Sequence, residues 1–219
     1  MKKTAILTAL ILAVMASVSY ATQIGDYYVG GNYNTIYSLV NGSRTAEGGG
    51  SVTVSKLNGA TVPFDYCVDL FTVVYVPADY NNSIITNNGT IHGAQQLNNY
   101  QQVAWLLDRY ATPAITNTNM QIALQAAIWT KVNGASVYSL DTNYYAGSTV
   151  DDYYAQMLSG LASDPVGQVS KYDWITPIDG NGAQYQAQVT AAPVPEPATC
   201  LLFGAGVVAA IFLRRKHQL

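Results

Sequence analysis

Short runs of alternating apolar and polar residues open the central region of the chain, as expected of β-strands. They predict strands at residues 26–29, 35–40 and 51–54, with turns at Gly30-Gly31, Asn41-Gly42 and Gly48-Gly49-Gly50. A longer apolar run follows at residues 64–76. Both of its faces are apolar by alternation, so we expect a central strand or a bent pair, buried on both sides around Cys67.

After an Asn-rich loop predicted at residues 81–88, the apolar spacing changes to that of helices. Helices are predicted at residues 94–110, 118–133 and 150–161. The second is the clearest, because Thr118 to Gln121 forms a capping box and apolar residues recur three and four positions apart. Its predicted apolar face contains Met120, Ala123, Leu124, Ala127 and Ile128.

Strand patterns return at residues 167–176 and 183–189. This order of strands, helices and strands predicts an α+β fold, with a β-sandwich or barrel-like sheet core and an inserted helical subdomain. Cys67 and the last strand are far apart in sequence, yet closure of the core places them in one sheet. Gln184, Gln186 and Gln188 are then expected on one face of that strand.

The first 21 residues have the parts of a secretory signal peptide. Lys2 and Lys3 form its basic start, residues 5–14 its apolar run, and Ser19-Tyr20-Ala21 a cleavage site of the small-x-small type. We expect the mature chain to begin at Thr22. The alternative is an uncleaved membrane anchor, for which the apolar run is short.

The C-terminal end combines a proline-rich motif, an uncharged apolar run and a basic cluster. The motif contains Pro195, Glu196 and Pro197, and residues 198–213 after it are uncharged. A helix of that length spans roughly 24 Å, which predicts a single short transmembrane helix. The basic residues 214–217 should remain in the cytoplasm, so the middle of the chain is expected outside the inner membrane.

This tail resembles the PEP-CTERM sorting signal of Gram-negative bacteria. The resemblance implies that an exosortase cuts near the motif, after which the protein reaches the cell surface or the extracellular matrix. A plain C-terminal anchor is the alternative. We therefore divide the chain into a signal peptide (1–21), a folded domain (22–190) and a sorting tail (191–219).

The composition excludes several classes of function. Charged residues make up 11% of the chain and the formal net charge is -3, so there is no basic surface for nucleic acid. No cofactor or metal site is expected, since residues 22–190 hold a single cysteine and a single histidine. Their richness in Tyr, Asn, Gln, Thr and Gly is typical of an extracellular β-rich fold, and the regular apolar spacing disfavours disorder.

Cys67 is the candidate reactive group because no other cysteine belongs to the exported domain. Cys200 lies in the apolar tail, so we expect no disulfide between them. Asp65 and Asp69 flank Cys67 and would raise the pKa of its thiol if they faced it. The sole histidine of the domain, His92, is expected to be solvated beside a loop.

Three local patterns stand in a fixed order along the domain. They are Tyr66-Cys67-Val68, the helical run from Leu124 through Gln125 to Trp129, and Tyr185-Gln186-Ala187-Gln188-Val189. Together they resemble the signatures of the bacterial surface thioester domain, or TQXA domain: aromatic-Cys-apolar, Thr-Gln-x-Ala-apolar-Trp and apolar-Gln-x-x-apolar. The chain departs from this pattern at Leu124, where the family usually has threonine.

The resemblance implies an internal thioester between Cys67 and Gln186. In that family the thiol condenses with the glutamine amide, ammonia is lost, and the thioester later acylates an amine. The motifs assign site support to Tyr66, Gln125, Trp129 and Tyr185. We expect water to be excluded from the bond by Phe71, Tyr75, Trp129 and Tyr185.

Three functions remain open at this stage. The first is a surface adhesin, not an enzyme, that bonds covalently to an amine-bearing surface protein or polymer. The second is a non-covalent structural protein of the extracellular matrix, with an inert thiol at Cys67. The third is a cysteine hydrolase that uses Cys67 and His92, which is disfavoured because no Gly-rich nucleophile motif surrounds Cys67.

Overall fold

A computed structural model describes residues 22–193 of the chain. The predicted signal peptide and the predicted transmembrane segment at residues 198–213 lie outside the described residues, and the division into three parts stays a prediction. Within residues 22–193, no helix combines the length and the apolarity that a membrane crossing requires.

The described part of the chain contains twelve β-strands, three α-helices and a short 3-10 helix at Val169–Lys171. The strands are β1 Gln23–Val29, β2 Asn32–Val40, β3 Ser43–Thr53, β4 Lys56–Leu57, β5 Ala60–Thr61, β6 Tyr66–Cys67, β7 Ala78–Thr86, β8 Thr90–Ile91, β9 Gln95–Gln96, β10 Tyr138–Leu140, β11 Tyr172–Thr176 and β12 Gln188–Ala191. The helices are α1 Tyr100–Ala114, α2 Thr118–Asn133 and α3 Thr149–Leu161.

The largest sheet has seven strands in the order β5-β4-β1-β7-β11-β12-β6 and curls into a half-barrel. All its neighbouring strands are antiparallel. A second sheet, β10-β2-β3, packs against α2, and β8 and β9 form a separate pair. The fold is therefore rich in sheet with helices packed on it, which agrees with the predicted combination of helices and sheets.

Cys67 lies at the edge of the seven-stranded sheet. Its strand β6 pairs with β12, and Gln188 is directly opposite Cys67. The backbone N–H of Val68 continues this pairing by donating to the carbonyl oxygen of Ala187, at 2.9 Å. The expectation that Cys67 and the last strand share a sheet is confirmed.

The predicted strand at residues 64–76 was too long. Only Tyr66–Cys67 forms a strand, and the chain then leaves the sheet edge. Phe71, Val73 and Tyr75 are 63%, 66% and 65% exposed, so the expected burial on both sides is wrong for them. Helix α2 and strand β12 cover the chain at Cys67, whereas the alternate residues beyond it face solvent.

A loop prediction and a turn prediction failed because strands pair through those residues. The sequence predicts a loop for the Asn-rich run at residues 81–88, but β7 covers its residues 81–86 and lies between β1 and β11. Asn81 and Asn82 point outward there, while Ser83 and Ile85 are buried. Likewise, the three glycines at residues 48–50 lie inside β3 and not in a turn.

The predicted last strand at residues 183–189 begins too early. The observed β12 starts at Gln188, and the residues before it form a single bridge between Gln184 and Ile178. Gln184 is exposed, whereas Gln186 and Gln188 are 8% and 0% exposed. The prediction that the three glutamines share one face of a strand is therefore wrong, because only Gln188 lies in β12 and regular alternation holds only inside a strand.

The helices are close to their predicted positions. Helix α2 has the predicted bounds, although its N-cap is Asn117 and not Thr118, with the Asn117 side chain accepting from the Met120 N–H at 3.1 Å. Helix α1 begins later than predicted, since residues 95–96 pair as β9 and Asn99 has a left-handed backbone with φ 56°. Helix α3 matches its prediction to within one residue at its start.

Candidate functional site

Cys67 and Gln186 line one cavity of about 270 Å³ at the sheet edge. Cys67 is 2% exposed and Gln186 is 8% exposed, so both side chains are largely shielded from water. The structure therefore brings together the two residues that the motifs single out. The rest of the lining consists of Tyr33, Glu47, Gly48, Val52, Leu70, Thr72, Val73, Val74, Val76 and Trp129.

The Gln125 side chain holds the backbone of Cys67 from helix α2. The Cys67 N–H donates to Gln125 Oε1 at 3.0 Å, and Gln125 Nε2 donates to the Cys67 carbonyl oxygen at 2.6 Å. Gln125 is fully buried, so neither bond competes with bulk water. These two bonds continue the hydrogen bonding of β6 on the side away from β12.

Gly49 allows the helix to approach this closely. A Cβ at Gly49 would lie 2.9 Å from Gln125 Cγ and 3.0 Å from the Trp129 ring. A glycine within a strand often marks a close approach by another part of the chain. The glycine run at residues 48–50 was thus a sequence signal for this contact, which our turn assignment missed.

Leu124 occupies the position where the thioester family usually has threonine. Its side chain is fully buried in the main apolar core, together with Ile128 and Met157. The polar contacts to Cys67 come from its neighbour Gln125. The substitution therefore leaves the described hydrogen bonds to Cys67 in place.

Two glutamines of the last segment approach Cys67 in different ways. The Gln186 backbone donates to the Val73 carbonyl oxygen at 3.1 Å, and its side-chain amide donates to the Asp69 carbonyl oxygen. Gln188 Nε2 donates to the Gln186 carbonyl oxygen at 3.2 Å, while Gln188 Oε1 has no hydrogen-bond partner within residues 22–193. Sequence reasoning assigned no role to Gln188, although its alternation with Gln186 put it near the site.

The surroundings of Cys67 favour the neutral thiol. Burial raises the pKa of Cys67 to about 12, the polar side chain of Gln188 opposes that shift, and the charges of Asp65 and Asp69 add to it. The two carboxylates act in the direction expected from the sequence. A thiolate is therefore scarce at Cys67 near neutral pH.

Asp65 is a buried carboxyl group two residues before Cys67. It is fully buried, the Tyr27 hydroxyl donates to its Oδ2, and its Oδ1 has no partner within residues 22–193. Burial raises the pKa of Asp65 to about 6, against the hydrogen bond from Tyr27. Among the described residues it is thus an acid that changes its charge in a mildly acidic range.

His92 is bound within the protein and not solvated as expected. Its Nε2 lies 2.9 Å from Asp69 Oδ2, its Nδ1 lies 3.2 Å from Gln184 Oε1, and its side chain is 21% exposed. Both ring nitrogens therefore face partners other than Cys67. This arrangement disfavours a Cys67–His92 pair of the hydrolase type.

The aromatic residues expected to exclude water divide into two groups. Trp129 is 1% exposed and lines the cavity, whereas Phe71 and Tyr75 are mostly exposed, so the shielding expected of them is wrong. Tyr185 is half-buried and packs against Tyr75, with ring centroids 5.8 Å apart.

Tyr66, the other supporting residue, is fully buried beside Cys67. Its ring centroid lies 5.9 Å from that of Phe64, within the main apolar core. Among residues 22–193, no three His, Cys, Asp or Glu side chains lie close enough together to hold a metal ion. The described chemistry of the site therefore rests on a thiol, amides and carboxyl groups.

Comparison with known proteins bears on the C-terminal tail. The PEP-CTERM protein-sorting motif matches residues 193–216, a range that includes Pro195, Glu196 and Pro197. No curated protein and no solved structure matched the chain. The predicted sorting signal is confirmed, and the chain is an exported protein of the surface or extracellular space, carrying a tail of the kind that exosortases process in Gram-negative bacteria.

Proposed function

We propose that the exported domain is a covalent adhesin with an internal thioester between Cys67 Sγ and Gln186 Cδ. One observation carries the proposal: these two residues, named by separate motifs, line the same cavity and are both largely buried. The sorting motif supports a location at the cell surface, where such a bond would meet a partner.

The thioester would form by a condensation that releases ammonia. Cys67 Sγ attacks Gln186 Cδ, the bond from Cδ to Nε2 breaks, and the thiol proton leaves with the amide nitrogen as ammonia. The contacts of Gln125 would hold the Cys67 backbone during this step. Burial disfavours the charged thiolate, whereas the thiol before the condensation and the thioester after it are both neutral and are compatible with the buried site.

The thioester would react with its partner by aminolysis. A partner amine attacks Gln186 Cδ, the bond from Cδ to Sγ breaks, and an amide forms while Cys67 Sγ takes up a proton. The partner is an amine-bearing surface protein or polymer, and the reaction is not reversed by the domain. Each chain therefore reacts once, and the protein is not an enzyme.

The alternative function is a non-covalent structural protein of the matrix. Phe71, Val73 and Tyr75, all strongly exposed, would then serve as an adhesive surface, and Cys67 would remain an inert buried thiol. Export through the same tail fits both functions.

Labelling with methylamine, followed by peptide mapping, tests the proposal at the level of the residue. We expect one methylamide, on Gln186, in the unmodified protein. The label should be absent from Cys67→Ala and Gln186→Ala but retained in Gln188→Ala, which remains folded by circular dichroism. A label on Gln188 would reassign the bond, and no label in any folded sample would support the matrix protein.

A further inference from the structure

One charged side chain lines the cavity that holds Cys67 and Gln186. This residue is Glu47 of strand β3, and among residues 22–193 no Lys, Arg, His or Asp lines the cavity with it. Glu47 is half-buried, and its carboxylate has no salt bridge or hydrogen bond within residues 22–193. The other polar groups of the lining are neutral, so Glu47 is the lining residue that brings a negative charge to the cavity, in addition to the charges of Asp65 and Asp69 that act on Cys67.

The register of β2 and β3 points Glu47 toward the interior. Glu47 lies directly opposite Ile36, which is fully buried in the core shared with helix α2. Residues that face each other in an antiparallel pair have their side chains on the same side of the sheet. The Glu47 charge also raises the pKa of the buried Tyr138 hydroxyl, behind burial as the main cause, which agrees with an inward direction.

An exposed tyrosine also belongs to the wall of this cavity. Tyr33 also lines the cavity, is 53% exposed, and its ring covers Gly48, where an added Cβ would lie 3.0 Å from the ring. An aromatic face and a carboxylate are the two groups that attract an organic cation. Tyr33 and Glu47 both line the cavity that holds Cys67 and Gln186.

We propose that Glu47 is the specificity-determining residue of the thioester site and favours neutral primary amines, such as the deprotonated lysine side chain, over anionic nucleophiles. The inference rests on the proposed function. When an amine attacks Gln186 Cδ, its nitrogen becomes positive until its proton passes to Cys67 Sγ. The Glu47 carboxylate stabilises that developing charge and repels anionic nucleophiles such as hydroxide.

Competition between methylamine and hydroxide tests this inference in a single sample. The full chain is incubated with methylamine at a mildly alkaline pH, and intact mass separates the methylamide product from the carboxylic acid that hydroxide leaves at Gln186. In Glu47→Gln we expect the amide rate to fall and the hydroxide rate to rise. Their ratio should fall about tenfold, as expected for one nearby charge.

Two variants serve as controls. Glu47→Asp keeps the charge and should retain most of the ratio. Asp79→Asn removes an exposed carboxylate that lines a different cavity, and it should leave the ratio unchanged. A structural role for Glu47 would instead move both rates in the same direction.

The possible failures are distinguishable. If the thioester forms in Glu47→Gln and the ratio of amide to acid equals that of the unmodified protein, the role of Glu47 is overturned but the proposed function is not. The same holds if the two rates fall together. An unmodified protein that lacks the mass deficit of one ammonia would overturn the proposed function, and the inference with it.

Discussion

The two walls of the Cys67 cavity differ in burial and in secondary structure, although both consist mainly of apolar residues. The inner wall, Val52, Cys67 and Trp129, is 1% to 3% exposed and belongs to strands and a helix. The outer wall, residues 70–76, has no regular secondary structure, and its alternate residues Phe71, Val73 and Tyr75 are exposed. Apolar character alone therefore did not decide which wall was buried.

Hydrogen bonding explains the difference. On the inner wall, Cys67 pairs with β12 on one side and with the Gln125 side chain on the other. The outer wall is attached at separate points, among them the bond from the Gln186 backbone to Val73 and the bond from Tyr75 to the Tyr80 hydroxyl. We expect the inner wall to hold the reactive groups and the outer wall to admit the partner.

The largest expected effect concerns the reactivity of the Cys67 thiol. In Gln186→Ala, which leaves the thiol free, alkylation by iodoacetamide at about pH 8 should be about a thousandfold slower in the folded protein than in urea. The reason is the pKa of Cys67, which folding raises to about 12. Rates measured against pH check this, and equal folded and unfolded rates would contradict it.

The raised pKa of Cys67 also makes the stability of the folded state depend on pH. The folded state binds the thiol proton more tightly than the unfolded state does, because folding raises the pKa of Cys67. This contribution to stability is therefore fully present below the pKa of the unfolded thiol, and it is lost as the pH rises toward 12.

Adding Asp65→Asn to the Gln186→Ala variant removes a nearby negative charge and should lower the pKa of Cys67, which would speed alkylation of the folded protein.

The next effect concerns the contact between helix α2 and the inner wall. Gln125→Ala removes both bonds to the Cys67 backbone and leaves two buried groups unpaired, so we expect a loss of about 2 to 4 kcal/mol in the free energy of unfolding. Urea unfolding measures it. Gln156→Ala, an exposed position on α3, is the matched control and should change stability by less than about 0.5 kcal/mol. Equal losses in the free energy of unfolding for the two variants would contradict the role of Gln125 in holding the Cys67 backbone.

The smallest effect compares one substitution on the two walls. Val52→Ala, at a residue 3% exposed, should cost about 2 kcal/mol, whereas Val73→Ala, at 66% exposed, should change stability by less than about 0.5 kcal/mol. Both residues line the cavity, so the pair separates burial from position. A similar cost at both positions would show that the outer wall is packed as firmly as the inner wall.

The sequence predicted the helices and the meeting of distant strands better than it predicted the cavity walls. Helix α2 was found to its ends because Asn133-Gly134 stops it and the apolar residues recur at helical spacing. The presence of Cys67 and the last strand in one sheet followed from the need to close that sheet, whereas their direct pairing was not predicted. The helical pattern of α2 is local, so its prediction depends on few distant contacts.

The misses have a common cause, which is dependence on tertiary partners. Asn81 and Asn82 are typical of loops, yet β1 and β11 on either side make them part of a strand. His92 is bound because Asp69 and Gln184 converge on it from other parts of the chain. The participation of Glu47 in the cavity wall likewise depended on the register of β2 and β3, which no local pattern revealed.

Intact mass tests the central claim most directly. The full chain and its Cys67→Ala variant are purified in the same way, so that processing at either end cancels in the comparison. After correction for the substitution, the account predicts that the unmodified protein is lighter by one ammonia and gains one methylamine on treatment, while Cys67→Ala shows neither change. Equal corrected masses, with a titratable thiol in the unfolded protein, would contradict the thioester.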